Sequence, residues 1–366
     1  MIKLQKIYLK KNKPNDFMKK KINYKNLKKF ISKILSRAGL DSYSREAVTL
    51  GLYEASLRGV DSHGVRLLEH YAFSAIKGRK NPKPKFKFYK SFPALGVLNA
   101  DNAFGHAAGM KAIDIGIKIA NKYGVAAIAV KNSSHPGALA SMALKAARKN
   151  YIAFAFTHAD SLMLSHNGKK PYFGTNPICF AAPRKEKEPF CIDMATSMIS
   201  WNKLLNFRKE KKMLDNNLAA DIEGKITKIP AKARSLMPAG SYKGYALASM
   251  VEVLCGVYTG MNFGTSILPM YKSPMNKPRK LGQFYIILKP NAVLGTNSFL
   301  KKMQVLTSQV RKQKTKSKNK KVMMPNDPEI INLKNRMKAG IPLEVETLDK
   351  LKNLSKKFNV KLNLLR

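Results

Sequence analysis

Two histidines stand at positions where a folded chain commonly brings side chains to a cleft. The segment Arg58–Arg66, RGVDSHGVR, places His63 just after the expected end of a helix. The segment 132–138, NSSHPGA, places His135 between an apolar strand and the start of a helix. Because imidazole exchanges a proton readily near neutral pH, either residue is a candidate general acid or base. A surface, capping or loop histidine is the alternative at each position, and the local sequence leaves both interpretations open.

Two further segments favour ligand binding. Residues 174–183, GTNPICFAAP, and 191–197, CIDMATS, combine small residues and hydroxyls with one carboxylate, Asp193. Tight turns of such residues allow a flat ligand to approach the backbone closely. Lys243 lies between turn glycines in 238–250, PAGSYKGYALASM, just before an apolar helix, where it could bind phosphate or carboxylate. In so lysine-rich a chain, a solvated lysine is the alternative.

The common motifs of other enzyme classes are missing. No G-x-G-x-x-G follows a strand and no G-x-x-x-x-G-K-[ST] occurs, which excludes a standard Rossmann fingerprint or P-loop. H-E-x-x-H, C-x-x-C and G-x-S-x-G are absent too, so we predict no metal site and no serine-hydrolase elbow. These absences leave a binding protein, or an enzyme whose cofactor site belongs to a less common fold.

The elements that must position these residues follow from apolar periodicity and from glycine punctuation. We predict a helix over 24–40 that Gly39 closes, and a second over 44–59 with Ser44 as N-cap and Gly59 as the stop. Later elements are helices at 105–123, 137–149 and 245–258, strands at 125–130, 151–157 and 284–288, a short apolar run at 190–194, and two short helices after residue 322. This alternation of helix and strand predicts an α/β fold.

The charge is the unusual property of the composition. Lys and Arg number 68 against 22 Asp and Glu, which gives a net charge of +46 over 366 residues. Such a field attracts polyanions and small acidic substrates. The denser basic runs, Lys10–Lys21 and Arg311–Lys321, are not interleaved with a series of aromatic side chains, as a base-stacking surface would be, so we expect no specific nucleic-acid binding.

Cellular location is predicted from cysteine usage and hydropathy. The three cysteines, Cys179, Cys191 and Cys255, are scattered and odd in number, which is typical of a reducing cytoplasm. No apolar run approaches the ~18 residues that a bilayer span requires. The lysine-rich start has no apolar segment of the kind found in secretory signals, so we expect neither export nor a membrane partner.

Six segments in order resemble the type-2 malate/L-lactate dehydrogenase family. They are RGVDSHGVR, NSSHPGA, GTNPICFAAP, DMATS, GSYKGYALASMVEVL and PNDPE, and the resemblance extends over about 24–364. The family includes ureidoglycolate dehydrogenase, 2,3-diketogulonate reductase and sulfolactate dehydrogenase. The resemblance implies a non-Rossmann α/β fold with a mixed sheet and helical N- and C-terminal parts, and a homodimer. It also implies an NAD- or NADP-dependent oxidoreductase of small 2-hydroxy or 2-oxo acids such as malate, lactate or sulfolactate.

The resemblance assigns roles residue by residue. His63 is implied as proton donor or acceptor to the substrate oxygen, and His135 matches a second acid/base histidine of some relatives; which is primary stays open. The implied cofactor contacts are Asp193, Met194, Ala195, Tyr242, Lys243, Asn326 and Asp327. Reduction of a 2-oxo acid requires a proton for the developing alkoxide and a cation for the carboxylate. Arg66 is the candidate cation, since a guanidinium binds a carboxylate through two parallel hydrogen bonds.

Four positions differ from the usual pattern of the family. Leu67 stands where many relatives have the arginine, one residue after Arg66. His158 replaces an asparagine or glutamine near the cofactor, and Ala159 replaces a serine that contacts it in some relatives. Asn326 replaces a glycine, and asparagine tolerates a left-handed backbone. The carboxylate anchor is therefore open, whereas both acid/base candidates are intact.

We interpret the chain as five parts. They are a basic flexible extension (1–22), a helical N-terminal part (23–100), an α/β cofactor-binding part (101–310), a basic linker (311–321) and a C-terminal helical part (322–366) that packs with the second. The alternative to a dehydrogenase is a degenerate family member that serves as a basic nucleic-acid-binding protein. The net charge supports that alternative, and the intact histidines favour the enzyme.

Overall fold

The computed structural model describes residues 20–186, 188–317 and 320–365. Most of the predicted basic extension (residues 1–19) and two residues of the predicted linker (318–319) lie outside this range. The helices are α1 Tyr24–Arg37, α2 Ser42–Leu57, α3 Leu68–Ile76, α4 Gly105–Tyr123, α5 Ala140–Ala147, α6 Trp201–Lys209, α7 Tyr242–Glu252, α8 Thr296–Arg311, α9 Asp327–Ala339 and α10 Val345–Lys357. The strands are β1 Lys21–Ile22, β2 Lys87–Phe92, β3 Leu95–Asn99, β4 Val125–Ser133, β5 Ile152–Thr157, β6 Met163–Leu164, β7 Pro171–Phe173, β8 Ile178–Ala182, β9 Phe190–Met194, β10 Ala219–Ala220, β11 Ser235–Leu236, β12 Leu281–Leu288 and β13 Ile341–Pro342.

A seven-stranded sheet forms the centre of the molecule, in the order β2-β3-β4-β12-β5-β8-β9. The pair β3–β4 is parallel and the other neighbours are antiparallel, so the predicted mixed sheet is confirmed. Because alternate side chains of a strand point to opposite faces, Ile128 and Val130 of β4 join the main core with α1–α5, whereas Ala129 packs on the other face with Val251 and Cys255. Both faces of the sheet are therefore covered.

A second, smaller sheet has the order β10-β11-β6-β7. Leu204 of α6, Leu218, Ala219 and Leu236 form its separate apolar cluster. No helix within the described ranges combines the length and the apolar content of a membrane span.

Local signals set most helix ends. Gly39 and Gly59 have φ values of +91° and +84°, which confirms the predicted stops after α1 and α2, and Gly124, at φ +80°, ends α4 in the same way. The predicted N-cap Ser44 is wrong: the carboxylate of Asp41 caps α2 by accepting the Ser44 N–H at 2.7 Å. A side-chain acceptor three residues before a free helical amide satisfies it, and Asp41 provides that acceptor.

Several element boundaries differ from the predicted ones. The predicted helix 245–258 is α7, which begins at Tyr242, followed by a π-turn over Val253–Val257. Residues 87–99, within the predicted helical N-terminal part, form β2 and β3 of the central sheet. Arg311, expected to open the linker, is instead the last residue of α8. At the start of the described chain, β1 pairs with β13 from the C-terminal part.

Candidate functional site

His63 lies on a short 3₁₀ turn, Asp61–His63, that follows α2. The turn is held by α9, far away in sequence. The Arg336 guanidinium donates to both carboxylate oxygens of Asp61, at 2.6 and 2.8 Å, and to the carbonyl of Ser56 at 2.6 Å. The position of His63 therefore depends on a helix from the C-terminal part of the chain.

His135 lies in the loop between β4 and α5. The start of α4 packs so closely against this loop that a Cβ at Gly105 would lie 2.1 Å from the Ser134 carbonyl oxygen, so only glycine fits there. A hydrogen bond of 2.8 Å joins His135 Nδ1 to the hydroxyl of Tyr71 on α3. The His63 and His135 rings stack, with centroids 5.6 Å apart and planes at 23°. The fold thus brings together the two histidines that the sequence singles out.

Both imidazoles are held in the neutral form. Removal from water, and after it the positive charge of Arg66, lower the pKa of His63 to about 4. The pKa of His135 is also well below its usual value, through burial first and then through His63 and nearby cations. Since Nδ1 of His63 bonds Ser62 Oγ at 2.9 Å, Nε2 of each ring is the nitrogen free of these contacts.

A cavity of about 790 Å³ opens in front of the histidine pair. Asp193, Met194 and Ala195, at the end of β9, line another part of it. The Asp193 carboxylate accepts the N–H of Ala140 at 2.8 Å, at the start of α5. Three of the eight predicted site residues other than the two histidines therefore share this cavity with them.

The predicted anchor Arg66 does not line this cavity. Its side chain faces a neighbouring cleft of about 420 Å³, beside Glu69, His70 and Glu346. Leu67 and Tyr271 line both spaces and so form the wall between them. The cause is the 3₁₀ turn Val65–Leu67, which directs adjacent side chains to different sides.

Four predicted cofactor contacts also lie away from the cavity lining. Tyr242 and Lys243 are exposed at the start of α7. Asn326 has φ +75°, the left-handed backbone that asparagine was expected to tolerate, and its amide bonds Arg58 and the Pro189 carbonyl. Asp327 accepts two hydrogen bonds from Arg311, at 2.6 and 2.9 Å. The Asn326 and Asp327 side chains are therefore occupied by protein partners.

Sequence reasoning missed Arg279, a cation that does line the cavity. Its side chain is 3% exposed, forms an ion pair with Asp160 and donates to the Leu268 carbonyl at 2.7 Å. In the sequence it stands in a lysine-rich stretch, KPRKLGQ, where nothing distinguishes it from its neighbours. Sequence reasoning also missed Tyr71, which lies eight residues after His63 and bonds His135.

Ala159 and His158, two of the positions that differ from the usual family pattern, lie in different surroundings. Ala159 lines the cavity. His158 is buried beside it without lining the cavity, accepts the Gly282 N–H at 2.9 Å through Nε2, and faces the Glu252 carboxylate at 3.7 Å. The His158 side chain therefore packs and forms hydrogen bonds inside the protein beside the central sheet.

Known proteins resemble this chain over most of its length. The sequence pattern of the malate/L-lactate dehydrogenase family matches residues 22–352. Ureidoglycolate dehydrogenase (NAD(+)) of Escherichia coli K12 is 34% identical over 279 residues, which cover 76% of this chain and 80% of that protein. Malate dehydrogenase of Pyrococcus abyssi is 28% identical over 342 residues, covering 91% and 93%.

Solved structures agree. The crystal structure of malate dehydrogenase from Entamoeba histolytica superimposes with a TM-score of 0.88 at 27% identity, covering 94% of this chain and 99% of that one. These matches confirm the predicted non-Rossmann fold and enzyme class, and leave the nucleic-acid alternative with the net charge as its only support. The chain belongs to the malate/L-lactate dehydrogenase family.

Proposed function

We propose that the protein is an NAD- or NADP-dependent dehydrogenase that interconverts a small 2-hydroxy acid and the corresponding 2-oxo acid. The observation that carries this proposal is the stacked pair of His63 and His135, which faces one cavity together with a buried cation, Arg279, and the Asp193–Ala195 segment. One space thus contains a proton-transfer group, an anion anchor and a place for a cofactor.

Proton transfer falls to an imidazole of the pair. In the oxidation of a hydroxy acid, a neutral Nε2 accepts the hydroxyl proton; in the reverse direction the imidazolium returns it to the developing alkoxide. Burial keeps both rings neutral in the free enzyme. An anionic substrate in the cavity raises their pKa values, because its charge stabilises the imidazolium. The rings are therefore suited to take up a proton only when substrate is present.

We assign the substrate carboxylate to Arg279 in place of Arg66. Arg279 lines the cavity, and its contacts with Asp160 and the Leu268 carbonyl fix the guanidinium in place. A pre-oriented guanidinium binds a carboxylate with little loss of side-chain entropy. Malate, lactate and sulfolactate all carry the required carboxylate, so this anchor does not choose among them.

The cavity residues fit a nicotinamide dinucleotide. Asp193 offers a carboxylate suited to ribose hydroxyls, Thr175 and Ser197 offer hydroxyls, and Arg234 and Lys272 offer positive charge for phosphate. When bound, the nicotinamide supplies or accepts the hydride. The contacts of Tyr242 and Lys243 remain a prediction, because neither lines the cavity of a single chain.

We also propose a homodimer in the cytoplasm. The C-terminal end of α7 and the π-turn that follows it expose an apolar surface, in which Met250, Val253, Val257 and Tyr258 are between 41% and 57% exposed. Such a surface is expected of a face that a second copy covers. All three cysteines are free and buried, which suits a reducing compartment. Sedimentation velocity distinguishes a dimer from a monomer directly.

The decisive experiment is a spectrophotometric assay. Purified protein is mixed with NADH or NADPH and a panel of 2-oxo acids, and loss of the reduced-nicotinamide absorbance is followed. We expect turnover with at least one pair, and a fall of at least ~10²-fold in kcat for His63→Ala or His135→Ala with the fold intact by circular dichroism. Folded protein without turnover on any pair would overturn the proposal, and near-normal turnover of one variant would remove that histidine from the acid/base role.

A further inference from the structure

Lys80 is a buried amine beside the histidine pair. Its side chain is 1% exposed, and Nζ has no hydrogen-bond partner among the described residues. It lies 4.0 Å from the ring centroid of Tyr71 and 4.9 Å from that of Phe104. Burying an ammonium group without an acceptor is costly, so a lysine at such a place requires an explanation beyond packing. The other lysines of the described residues are exposed or partly exposed.

Tyr71 connects this amine to the proposed active site. The Tyr71 hydroxyl bonds His135 Nδ1 at 2.8 Å, and the Tyr71 side chain is fully buried. Since Nζ is 4.0 Å from the Tyr71 centroid and that centroid is 6.3 Å from the His135 ring, the amine lies within about 10 Å of the imidazole. A charge at that distance in a dry environment acts on the protonation of the ring.

We propose that Lys80 is a positioning residue whose ammonium group, held on the face of Tyr71, keeps His135 neutral until an anionic substrate enters the cavity. The proposal rests on the proposed function, because it assigns His135 to proton transfer. Two effects act in one direction. The charge repels an imidazolium through space, and it draws electron density from the Tyr71 oxygen, which weakens that oxygen as an acceptor for a protonated Nδ1.

Other charged and titratable groups around His135 also affect its pKa. Cations face the cluster from Arg79 and Arg279, and the other titratable rings are His63, His70 and His106. Asp160, the nearby acid, is paired with Arg279. Burial and the two arginines lower the pKa of Lys80 itself, and contact with two aromatic faces favours its charged form. Of the three cations Lys80, Arg79 and Arg279, Lys80 is the one whose charged end has no hydrogen-bond acceptor among the described residues.

The test is the pH dependence of kcat/KM for oxidation of the hydroxy acid. Lys80→Met removes the charge with little change in volume, and Lys77→Met, an exposed lysine three residues earlier, is the matched control. Oxidation needs a neutral base, so activity falls as pH drops through the pKa of the imidazole. With an effective dielectric constant of ~20 and ~10 Å of separation, we expect Lys80→Met to move this acidic limb up by about one pH unit. Lys77→Met should leave it in place.

An unchanged limb in an active, folded Lys80→Met enzyme would overturn the proposal while leaving the proposed function intact. An equal shift in Lys77→Met would do the same, because it would trace the effect to net charge. If Lys80→Met fails to fold, NMR of the wild-type protein takes the place of the kinetic test, because the ¹³Cε chemical shift of Lys80 reports whether its amine is charged. A neutral amine at pH 7 would overturn the proposal, and this readout needs no turnover.

Discussion

The ion pair between Arg336 and Asp61 joins the C-terminal part of the chain to the turn that carries His63. Arg336→Gln and Asp61→Asn each break this pair, and the double variant completes a thermodynamic cycle. Asp61→Asn is isosteric, and Arg336→Gln is shorter but keeps the inner aliphatic part of the side chain and a polar end group. The cycle cancels what each substitution changes apart from the pair. The change under test is the loss of two charge-assisted hydrogen bonds of 2.6 and 2.8 Å.

The expected magnitude follows from geometry and exposure. Arg336 is 15% exposed and Asp61 45%, so water screens the pair partly. Exposed pairs contribute about 0.2–1 kcal/mol, whereas a bidentate, partly buried pair contributes more. We therefore expect a coupling free energy of about 1–2 kcal/mol. The same free energy withdrawn from the transition state corresponds to a fall of about tenfold in kcat/KM.

The assay combines urea unfolding with steady-state kinetics of the three variants. Lys350→Gln is the matched control, because it breaks an exposed pair with Glu346, of 2.7 Å, that does not contact the His63 turn. We expect the control to lose less than about 0.5 kcal/mol and to retain its kcat/KM. A coupling near zero, or full activity of Arg336→Gln, would refute the inference that α9 positions His63.

Two further predictions concern stability. The free energy of unfolding should fall as pH drops from 6.5 towards 4, because His63, His70 and His106, with pKa values of about 4, 3 and 3, stay neutral in the folded protein while the unfolded chain binds protons. Each histidine contributes up to about 1.4 kcal/mol per pH unit. Urea titrations over this pH range measure the effect, and a flat profile would contradict it. Asn326→Gly should lower the unfolding free energy by about 1–2 kcal/mol, because glycine suits φ +75° but loses the bonds to Arg58 and the Pro189 carbonyl. Wild-type stability of Asn326→Gly in the same titration would show that backbone relief outweighs those bonds.

Local sequence signals predicted the secondary structure where they act alone. The glycines after α1, α2 and α4 end helices because they adopt positive φ, which depends on few neighbours. Ser44 was a poorer prediction, because Asp41 offered an equally good cap a few residues earlier and sequence alone does not rank the two. The strands β2 and β3 escaped prediction, since β2 is almost wholly exposed and β3 is an apolar run of only five residues.

The sequence by itself determined the two histidines, the Asp193–Ala195 segment and the family, because these residues lie in short motifs whose order needs no three-dimensional information. Only the tertiary structure decided which cation enters the cavity. Arg66 is three residues from His63, yet a 3₁₀ turn directs it into the next cleft, whereas Arg279 arrives from a distant segment. The burial of Lys80 against the Tyr71 ring could not be predicted either, because nothing in the sequence distinguishes Lys80 from the many other lysines. Side-chain direction and long-range packing fix such positions, and neither is contained in the local pattern of residues.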